Sequence, residues 1–581
     1  MPDRKGDSDR LYRMRHSAAH IMAEAVLDLF PGAKFAIGPP IEHGFYYDFD
    51  LPRALSPEDL GIIEERMRGT IAADHPFVHR EVDKEEARRL FADQPYKLEL
   101  IEGIEAEQVS LYQHGPFTDL CEGPHVDRTG QVGAFKLANI AGAYWRGDEH
   151  NPMLQRIYAT LFETPQELEE HLARLEEAQR RDHRRLGREL QLFTSHELIG
   201  AGLPLWLPKG ATVRRLLEEF ITELERQSGY SHVYTPHLAK KSLYEKSGHW
   251  EHFKDDMFPP MELEHEELVL RPMNCPHHIL IYSSQLHSYR DLPVRIAEMG
   301  TMYRNERSGV VGGLSRVRAM TLNDAHIFCT PEQVKAEFSN VMRLVERAYA
   351  TLGITDHSYQ LSLRDPANTE KYAPNDAKWE MAEPMLREAM TALNLPFTEA
   401  MGEAAFYGPK LDIQLRDSLG REETISTVQI DFHLPNQFDL TYIGEDGAEH
   451  RPVIIHRSVL STMERMVAYL IEHYAGAFPL WLAPVQAVVI PIADRHVEYA
   501  QGVADDLRAE GLRIELDDRG ERMQAKIRDA QLQKIPYMLV VGDREQEAGA
   551  VAVRQRDGSN LGALPLFQVI DRLKDEVVTK S

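Results

Sequence analysis

The sequence predicts an α/β protein built of several domains. At 581 residues it exceeds what a single hydrophobic core usually organises. Residues 476–581 alternate strand-like and helix-like segments, and residues 294–328 contain two strand-like runs joined by a charged loop. We therefore predict four successive segments, 1–160, 161–190, 191–475 and 476–581, of which the second is a helical linker.

The composition is typical of a soluble globular protein, with 43% hydrophobic and 27% charged residues. No apolar run is long enough for a membrane helix, and the start MPDRKGDSDR lacks the apolar segment of a signal peptide. We expect a cytoplasmic protein without membrane contact. Three cysteines exclude a disulfide framework. The net charge of −26 argues against nonspecific coating of nucleic acid, but it allows a local basic groove for RNA.

The first segment carries a group of potential metal ligands or acid–base residues. Its predicted elements are a helix over 13–30, the strand FYYDFD, and helices over 57–74 and 84–93. His16 and His20 lie one turn apart on the first helix, and TDLCEGPHVD supplies Cys121 and His125. H-x-x-x-H followed by C-x-x-x-H is typical of a four-ligand zinc site. HSAAH lacks the glutamate base of a metalloprotease.

The linker and the start of the third segment are predicted to be helical. Residues 166–190 form a strongly charged helix whose charges favour a solvated face over RNA contact. An amphipathic helix and a strand ending at Pro236 follow, and KSGHWEHFKDDMF then contributes His249.

The most informative stretch runs from Arg271 to Thr330. Its two predicted strands, 294–303 and 317–328, enclose a loop that carries Arg304, Glu306, Arg307 and Arg316. Guanidinium groups match phosphate oxygens and keep their charge, so this loop favours a triphosphate ligand. Asp324 and His326 share one face of the second strand, and Cys275 precedes the first, so a Cys, an Asp and a His could converge. A lone cysteine is more often a buried hydrophobe, and the loop could be an ordinary solvated hairpin.

The rest of the chain adds more candidate elements. Residues 331–352 are predicted to be a helix, and 404–432 two strands joined by a turn. His456 is placed at a strand end, followed by a helix with Glu464 and Arg465. Residues 476–581 predict an α/β sandwich with a largely parallel sheet and no Gly-rich phosphate loop. We name Arg519, Arg522 and Lys526 as candidates for reading RNA bases.

Several of these motifs resemble one family. In order, PMNCPH, YRNE, RVR and NDAHIF resemble motif 2 of the class II aminoacyl-tRNA synthetases, and specifically of the threonyl-tRNA synthetase family. GLPLWLPKGATVRRLLEEF resembles motif 1 and HRSVLSTMERM motif 3. The resemblance covers nearly the whole chain. It implies an α+β editing domain over 1–160, a class II antiparallel-sheet catalytic domain over 191–475, an α/β anticodon-binding domain over 476–581, and a homodimer formed through motif 1.

The resemblance also implies roles for individual residues of the catalytic segment. It places Arg304 on the α-phosphate and Arg465 on the γ-phosphate of a bent, magnesium-bound ATP. Further nucleotide contacts are Glu306, Arg316 and Gln429; His249 and Lys410 lie near the reaction centre; Tyr407 and Met273 are substrate contacts. It makes Cys275, His326 and His456 ligands of one zinc ion that binds the amino and hydroxyl groups of threonine. Asp324 accepts a hydrogen bond from that hydroxyl.

In the first segment the resemblance implies a pocket that hydrolyses mischarged seryl-tRNA(Thr), without a bound metal. Its residues are His16, His20, Lys97, Asp119, Cys121 and His125. A structural zinc site or a decayed domain remains the alternative for the same residues. The function implied for the whole chain is threonine–tRNA ligase, with threonine, ATP and tRNA(Thr) as partners.

Three departures from the family bear on this hypothesis. Leu322 and Thr424 stand where threonyl enzymes often have Gln, and we expect the small ubiquitin-like module that commonly precedes the editing domain to be absent. One alternative is a paralogue that binds RNA without aminoacylating, against which the intact Arg304, Arg465 and zinc ligands speak. Another is a ligase for serine or proline, and Cys275 with Asp324 argues against proline.

Overall fold

The computed structural model describes residues 5–368, 371–372, 376–417 and 420–580. Contacts divide the chain into two compact units that meet in sequence between Glu176 and Glu177. This division lies inside the predicted linker 161–190, and the segments 191–475 and 476–581 both lie in the second unit.

The first unit combines helices with two antiparallel sheets. Its helices are α1 (Lys5–Leu29), α2 (Pro57–Ala72), α3 (Lys84–Leu90) and α4 (Pro95–Gly103). Its strands are β1 (Lys34–Phe35), β2 (Pro40–Ile41), β3 (Gly44–Asp50), β4 (Val78–Asp83), β5 (Gln108–His114), β6 (Phe117–Leu120), β7 (Ala134–Tyr144) and β8 (Met153–Phe162). The apolar face of α1, with Ile21, Met22 and Val26, packs into a core with Phe45 and Ile157 of the larger sheet.

The predicted single helix over 166–190 is two helices, α5 (Pro165–Arg181) and α6 (His183–Glu189). The break lies at Asp182, whose carboxylate accepts a hydrogen bond from the backbone N–H of Arg184 and so caps α6. The prediction of one continuous helix was wrong because the charge pattern runs through the cap without a change in composition.

The second unit is built on an eight-stranded sheet. Helices and strands up to the end of this sheet are β9 (Phe193–Thr194), β10 (Leu205–Trp206), α7 (Pro208–Gln227), β11 (Ser231–His232), β12 (Leu238–Lys240), α8 (Lys241–Lys246), α9 (His249–Phe253), β13 (Met261–Leu263), β14 (Glu266–Leu270), α10 (Cys275–Ser283), β15 (Val294–Tyr303), β16 (Ala319–Cys329), α11 (Val334–Thr351), β17 (His357–Leu363), α12 (Asp376–Ala392), β18 (Phe397–Met401), β19 (Lys410–Arg416), β20 (Glu422–Asp431), α13 (Leu434–Gln437), β21 (Tyr442–Ile443), β22 (Glu449–His450), β23 (Val453–Thr462) and α14 (Met463–His473).

The order of this sheet is β11-β15-β16-β23-β20-β19-β17-β18, antiparallel from β15 to β17 and parallel only at its two edge pairs. One face is covered by the apolar sides of α7, α11 and α14. On β16, Ala325 and Ile327 point into that core, so the alternating residues Asp324 and His326 point to the opposite face. The sheet therefore places its polar residues together, on the face opposite α7, α11 and α14.

Residues 487–579 form a five-stranded sheet with flanking helices. The elements are β24 (Ala487–Pro491), α15 (Val497–Ala509), β25 (Ile514–Leu516), α16 (Met523–Leu532), β26 (Tyr537–Val541), α17 (Asp543–Ala548), β27 (Ala550–Gln555), β28 (Asn560–Pro565) and α18 (Leu566–Thr579). The first three strands in the order β25-β24-β26-β27-β28 are parallel, but β27 and β28 pair antiparallel. The expected largely parallel sheet is thus mixed, because β27 runs antiparallel to β26, and β28, which was not predicted, runs antiparallel to β27.

None of the helices in the described part of the chain combines the length and apolar character that crossing a bilayer requires.

Candidate functional site

A cleft of about 350 Å³ opens on the polar face of the eight-stranded sheet. It gathers eleven of the residues predicted for the catalytic segment: Met273, Cys275, Arg304, Glu306, Arg316, Asp324, Tyr407, Lys410, Gln429, His456 and Arg465. Leu322 and Thr424, the two departures from the family pattern, also line it.

Strand register explains why residues distant in sequence meet in this cleft. His326 on β16 is paired with His456 on β23, which is paired with Gln429 on β20, which is paired with Lys410 on β19. These four residues form one row across the sheet, which we call the histidine row. A second row two residues along each strand, the aspartate row, contains Asp324, Ser458, Thr427 and Asp412. Because side chains repeat every second residue along a strand, both rows lie on the cleft side of the sheet. All their members line the cleft except His326, which is fully buried.

At one end of the cleft two arginines, Arg304 and Arg465, lie close enough for their charges to interact. Arg465 donates hydrogen bonds from Nε to the Ser315 carbonyl (3.2 Å) and from Nη1 to the Thr424 carbonyl (3.4 Å). Burial and the nearby Arg465 guanidinium lower the pKa of Arg304. Converging cations at the mouth of a cleft favour binding of a polyanion.

The residues predicted to bind the nucleotide, on the loop between β15 and β16, contact one another. Arg316 donates to the Glu306 carboxylate at 2.9 Å, and Arg318 donates to the Glu306 carbonyl at 2.9 Å. An apolar wall of Met302, Val317 and Met320 lies beside them and packs with Met273 and Leu322. The sequence analysis did not identify Met302 and Met320, although both lie in strands that it predicted and the alternation of side chains along those strands could have indicated them.

Cys275, His326 and His456 place their ligand atoms within 4.8 Å of one another. The Nε2 atom of His326 and the Nδ1 atom of His456 are buried without a hydrogen-bond partner. His456 Nε2 lies 3.0 Å from Asp431 Oδ2, and His326 Nδ1 lies 2.8 Å from His278 Nδ1. The prediction that His456 ends its strand was wrong: it lies inside Val453–Thr462.

The chemistry of these donors fits a divalent metal. Burial raises the pKa of the Cys275 thiol well above its ordinary value, and burial together with the His456 charge lowers that of His326. The neutral His326 thus keeps a lone pair on its unpartnered nitrogen, and a cation between the groups would stabilise the thiolate. A buried set of one Cys and two His, each His bonded through its other nitrogen, is the usual pattern around zinc.

His249 does not line the cleft. It is fully buried, its Nδ1 lies 2.7 Å from the Ser247 hydroxyl, and its Nε2 has no partner. Burial, with the neighbouring His456, lowers the pKa of His249 to about 4, so its ring is neutral near pH 7.

The first unit holds a second cluster, formed by the six residues predicted there to hydrolyse mischarged tRNA; we call it the hydrolytic pocket after that prediction. His16 Nε2 and His125 Nε2 each lie 3.3 Å from Cys121 Sγ. Lys97 Nζ contacts Asp119 at 2.5 Å, and Asp119 also lies 3.5 Å from His20 Nε2. These residues come from α1, α4, β6 and the loop after β6, so only the folded unit brings them together.

Three side chains that the sequence analysis did not identify contact the residues of this pocket. The Tyr47 hydroxyl donates to Asp119 at 2.6 Å, and Ser17 Oγ lies 3.0 Å from His125 Nδ1. Phe77 stacks on the His125 ring at 4.9 Å. Burial raises the pKa of Cys121 to about 12 and lowers that of His125 to about 2. At neutral pH the pocket therefore offers a protonated thiol and neutral imidazoles.

In the last segment, residues 476–581, one of the three candidate base-reading residues is not accessible. Lys526 is buried, and its ammonium donates to the carbonyls of Asp517 (2.9 Å) and Pro491 (3.4 Å). The suggestion that Lys526 reads RNA is therefore wrong. Arg519 is half exposed and paired with Asp517 and Asp529.

Comparison with known proteins agrees with this geometry. Residues 260–474 match the family described as tRNA synthetase class II core domain (G, H, P, S and T). Residues 486–576 match the anticodon binding domain, and residues 109–158 match the threonyl and alanyl tRNA synthetase second additional domain. Threonine–tRNA ligase 1 of Bacillus subtilis is 55% identical over 98% of this chain and 89% of its own length.

The chain belongs to the threonyl-tRNA synthetase family.

Other members of the family show the same extent of similarity. The threonine–tRNA ligase of Listeria monocytogenes is 55% identical over 98% of this chain and 90% of its own length. Among solved structures, the RNA binding domain of threonyl-tRNA synthetase from Cryptosporidium parvum superposes with a TM-score of 0.65 at 38% identity, covering 68% of this chain and 98% of that one. A putative threonyl-tRNA synthetase from Aeropyrum pernix gives 0.61 at 28% identity, covering 69% of this chain and 97% of that one.

Proposed function

We propose that this chain activates L-threonine with ATP and transfers it to the 3′ end of tRNA(Thr), with Cys275, His326 and His456 holding one zinc ion per chain. The observation that carries the zinc assignment is the convergence of two unpartnered, buried imidazole nitrogens on the Cys275 side of the cleft. When bound, the zinc supplies a Lewis-acidic position for the substrate amino and hydroxyl groups.

The two arginines account for the nucleotide half of the cleft. Arg304 and Arg465 converge on one region, and we assign them to the α- and γ-phosphates of magnesium-bound ATP. A threonine carboxylate oxygen attacks the α-phosphorus, and the bond to the diphosphate breaks. A hydroxyl of the terminal tRNA ribose then attacks the threonyl carbonyl and AMP leaves. The arginines orient the phosphates and offset the negative charge that develops on them.

The remaining cleft residues complete the assigned site. Glu306, Arg316 and Gln429 are the further nucleotide contacts, and Met273 and Tyr407 the substrate contacts. Lys410 forms an ion pair with Asp412 at 2.8 Å, which holds its ammonium at the edge of the histidine row. We assign His249 a role in the transfer step. Its ring is buried and neutral, and its Nε2 has no hydrogen-bond partner among the described residues.

Asp324 supplies the selectivity for a hydroxyl. It lies in the aspartate row beside the metal ligands and accepts a hydrogen bond from the threonine hydroxyl. Valine has the same size but leaves Asp324 without that donor, so rejection by roughly 10⁴-fold is within reach of such a site. Serine keeps the hydroxyl and lacks one methyl group, a difference of about 1–3 kcal/mol. A separate step must therefore remove serine.

We assign that step to the hydrolytic pocket of the first unit. The substrate is seryl-tRNA(Thr), and the reaction is attack of water on the ester carbonyl. The neutral imidazole of His16 is suited to accept a proton from that water, because burial keeps it uncharged. The strongly lowered pKa of His125 makes it too weak a base, so we assign it to positioning the water. The Lys97 ammonium is placed to stabilise the carbonyl oxygen as it becomes negative.

Three further assignments concern assembly and location. Tyr234, shortly after the motif 1 helix α7, exposes 95% of its surface, which suits a homodimer interface there. Residues 476–581 would bind the anticodon. The family's reaction belongs to protein synthesis, so we place the protein in the cytoplasm.

The test is amino-acid-dependent exchange between ATP and labelled diphosphate, combined with zinc analysis. We expect strong exchange with threonine, weaker exchange with serine, none with valine, and loss after chelation. We expect one zinc per chain, lost in Cys275→Ser and kept in Cys121→Ser, which separates the cleft from the hydrolytic pocket as the metal site. Zinc that disappears only in Cys121→Ser would refute the assignment.

A further inference from the structure

A buried chain of hydrogen bonds leads away from His326. His326 Nδ1 lies 2.8 Å from Nδ1 of His278, on α10. His278 Nε2 lies 3.1 Å from Oε2 of Glu298, on β15. His278 and His326 are fully buried, and Glu298 is 3% exposed. None of the three groups can exchange this partner for bulk water.

The chemistry of the groups fixes the direction of the chain. A carboxylate only accepts hydrogen bonds, so His278 carries its proton on Nε2 and donates it to Glu298. His278 Nδ1 then holds a lone pair and accepts the N–H of His326 Nδ1. A neutral His326 has no second proton, so its Nε2 presents a lone pair. That atom is the one left without a partner beside Cys275.

Glu298 is itself held at both oxygens. Arg271 Nη1 and Nη2 each donate to Oε1 at 3.2 Å, and the Thr235 backbone N–H donates to the same oxygen at 3.1 Å. The Thr235 hydroxyl lies 2.8 Å from Oε2. Arg271 is 1% exposed. The carboxylate therefore cannot rotate without leaving a buried guanidinium unpaired.

We propose that His278 and Glu298 are positioning residues that set His326 in the tautomer able to bind a divalent metal through Nε2. The proposal rests on the zinc site of the proposed function. It also explains why the two histidine ligands use different nitrogens: Asp431 engages Nε2 of His456, which presents Nδ1, whereas His278 engages Nδ1 of His326. Partners of this kind raise metal affinity by about 10- to 100-fold.

Glu298→Gln tests the proposal with almost no change in shape. Arg271 and the Thr235 amide require an acceptor, so the glutamine carbonyl takes the place of Oε1 and its NH₂ group faces His278. His278 must then accept at Nε2 and donate from Nδ1, which places the proton of His326 on Nε2. We expect the zinc dissociation constant to rise about 10- to 100-fold.

A second set of variants separates hydrogen bonding from packing. His278→Phe keeps a ring but offers no acceptor to His326, and we expect the same loss of affinity. His278→Asn places its amide oxygen near the position of Nδ1 and restores an acceptor, so we expect most of the affinity to return. His277→Phe is the matched control, because His277 is buried beside His278 and neither of its ring nitrogens has a hydrogen-bond partner.

The measurements are zinc dissociation constants, by competition with a chelator of known affinity, and thermal unfolding of the zinc-free proteins. Weaker zinc binding in Glu298→Gln and His278→Phe, with unchanged binding in His277→Phe, supports the proposal. Zinc binding by Glu298→Gln within twofold of the parent chain overturns it. If Cys275→Ser binds zinc as the parent does, the metal assignment itself fails, and that outcome is distinct from failure of the positioning chain alone.

Discussion

His326 and His456 lie directly opposite each other on neighbouring antiparallel strands, with ring centroids 4.6 Å apart. His326 lies on β16, which follows the loop after β15, and His456 lies on β23, which leads into α14. Two side chains fixed by backbone pairing would need little rearrangement to bind a metal, so their geometry depends on the sheet rather than on a loop.

Replacing one metal ligand should abolish threonine activation without unfolding the chain. In Cys275→Ser we expect zinc to be lost and threonine-dependent ATP–diphosphate exchange to fall by at least about 100-fold, because the amino acid loses its main anchor. Cys329→Ser is the control, since Cys329 is buried in the core on the opposite face of β16. Equal exchange rates in the two variants would contradict the assignment.

The hydrolytic pocket should be separable from activation. We expect His16→Ala to lower hydrolysis of seryl-tRNA(Thr) by about 100-fold or more while threonine activation stays unchanged, because general-base groups contribute this much and His16 lies in the other unit. His150→Ala removes an exposed histidine from the same unit and should leave both rates unchanged. A His16→Ala chain that still clears seryl-tRNA at the parent rate would eliminate this role.

Cys121 should react slowly with alkylating reagents at neutral pH. Burial raises its pKa to about 12, and below that pH the thiolate fraction falls tenfold for each pH unit. The labelling rate by iodoacetamide should therefore rise about tenfold per unit from pH 7 to pH 10, without the plateau that an ordinary thiol shows near pH 9. Mass spectrometry of the labelled peptide distinguishes Cys121 from Cys275 and Cys329. A plateau below pH 9 would contradict the raised pKa.

A buried ion pair joins α7 to the centre of the large sheet. Arg457 Nη1 donates to Glu225 Oε1 at 2.6 Å, and both side chains are fully buried. Glu225→Gln leaves this guanidinium without its counter-charge, so we expect a loss of about 3–5 kcal/mol in the free energy of unfolding of this unit. Urea titration, together with hydrogen exchange of β23 peptides, measures it.

The control for that experiment lies on the same helix. Arg215 pairs with Glu219 at 2.5 Å, but more than half of each side chain is exposed. Exposed pairs contribute about 0–1 kcal/mol, so Arg215→Ala should shift the urea midpoint little. Equal losses of unfolding free energy in the two variants would show that the buried ion pair contributes no more to stability than the exposed one.

The sequence predicted individual site residues better than it predicted their surroundings. Strand alternation was enough to place Asp324 and His326 on one face, and Val294–Tyr303 has the predicted bounds. His278, Glu298 and Asp431 were missed because their partners come from other elements, and spacing along one strand or helix cannot report a hydrogen bond across the fold. Lys526 was misjudged for a related reason: its charge suggested exposure, but carbonyls of two separate segments satisfy its ammonium.

The histidine and aspartate rows also limit how the gene can change. Deleting one codon within β16, β19, β20 or β23 would turn every later side chain of that strand over, moving cleft residues into the apolar core and core residues into the cleft. A gap of the same size between β19 and β20, or between β21 and β22, would leave both rows intact. A library of single-codon deletions should therefore yield active clones only where the deleted codon lies in a loop between these strands. The tolerated sites would then mark the ends of the strands that carry the histidine and aspartate rows, without any structure determination.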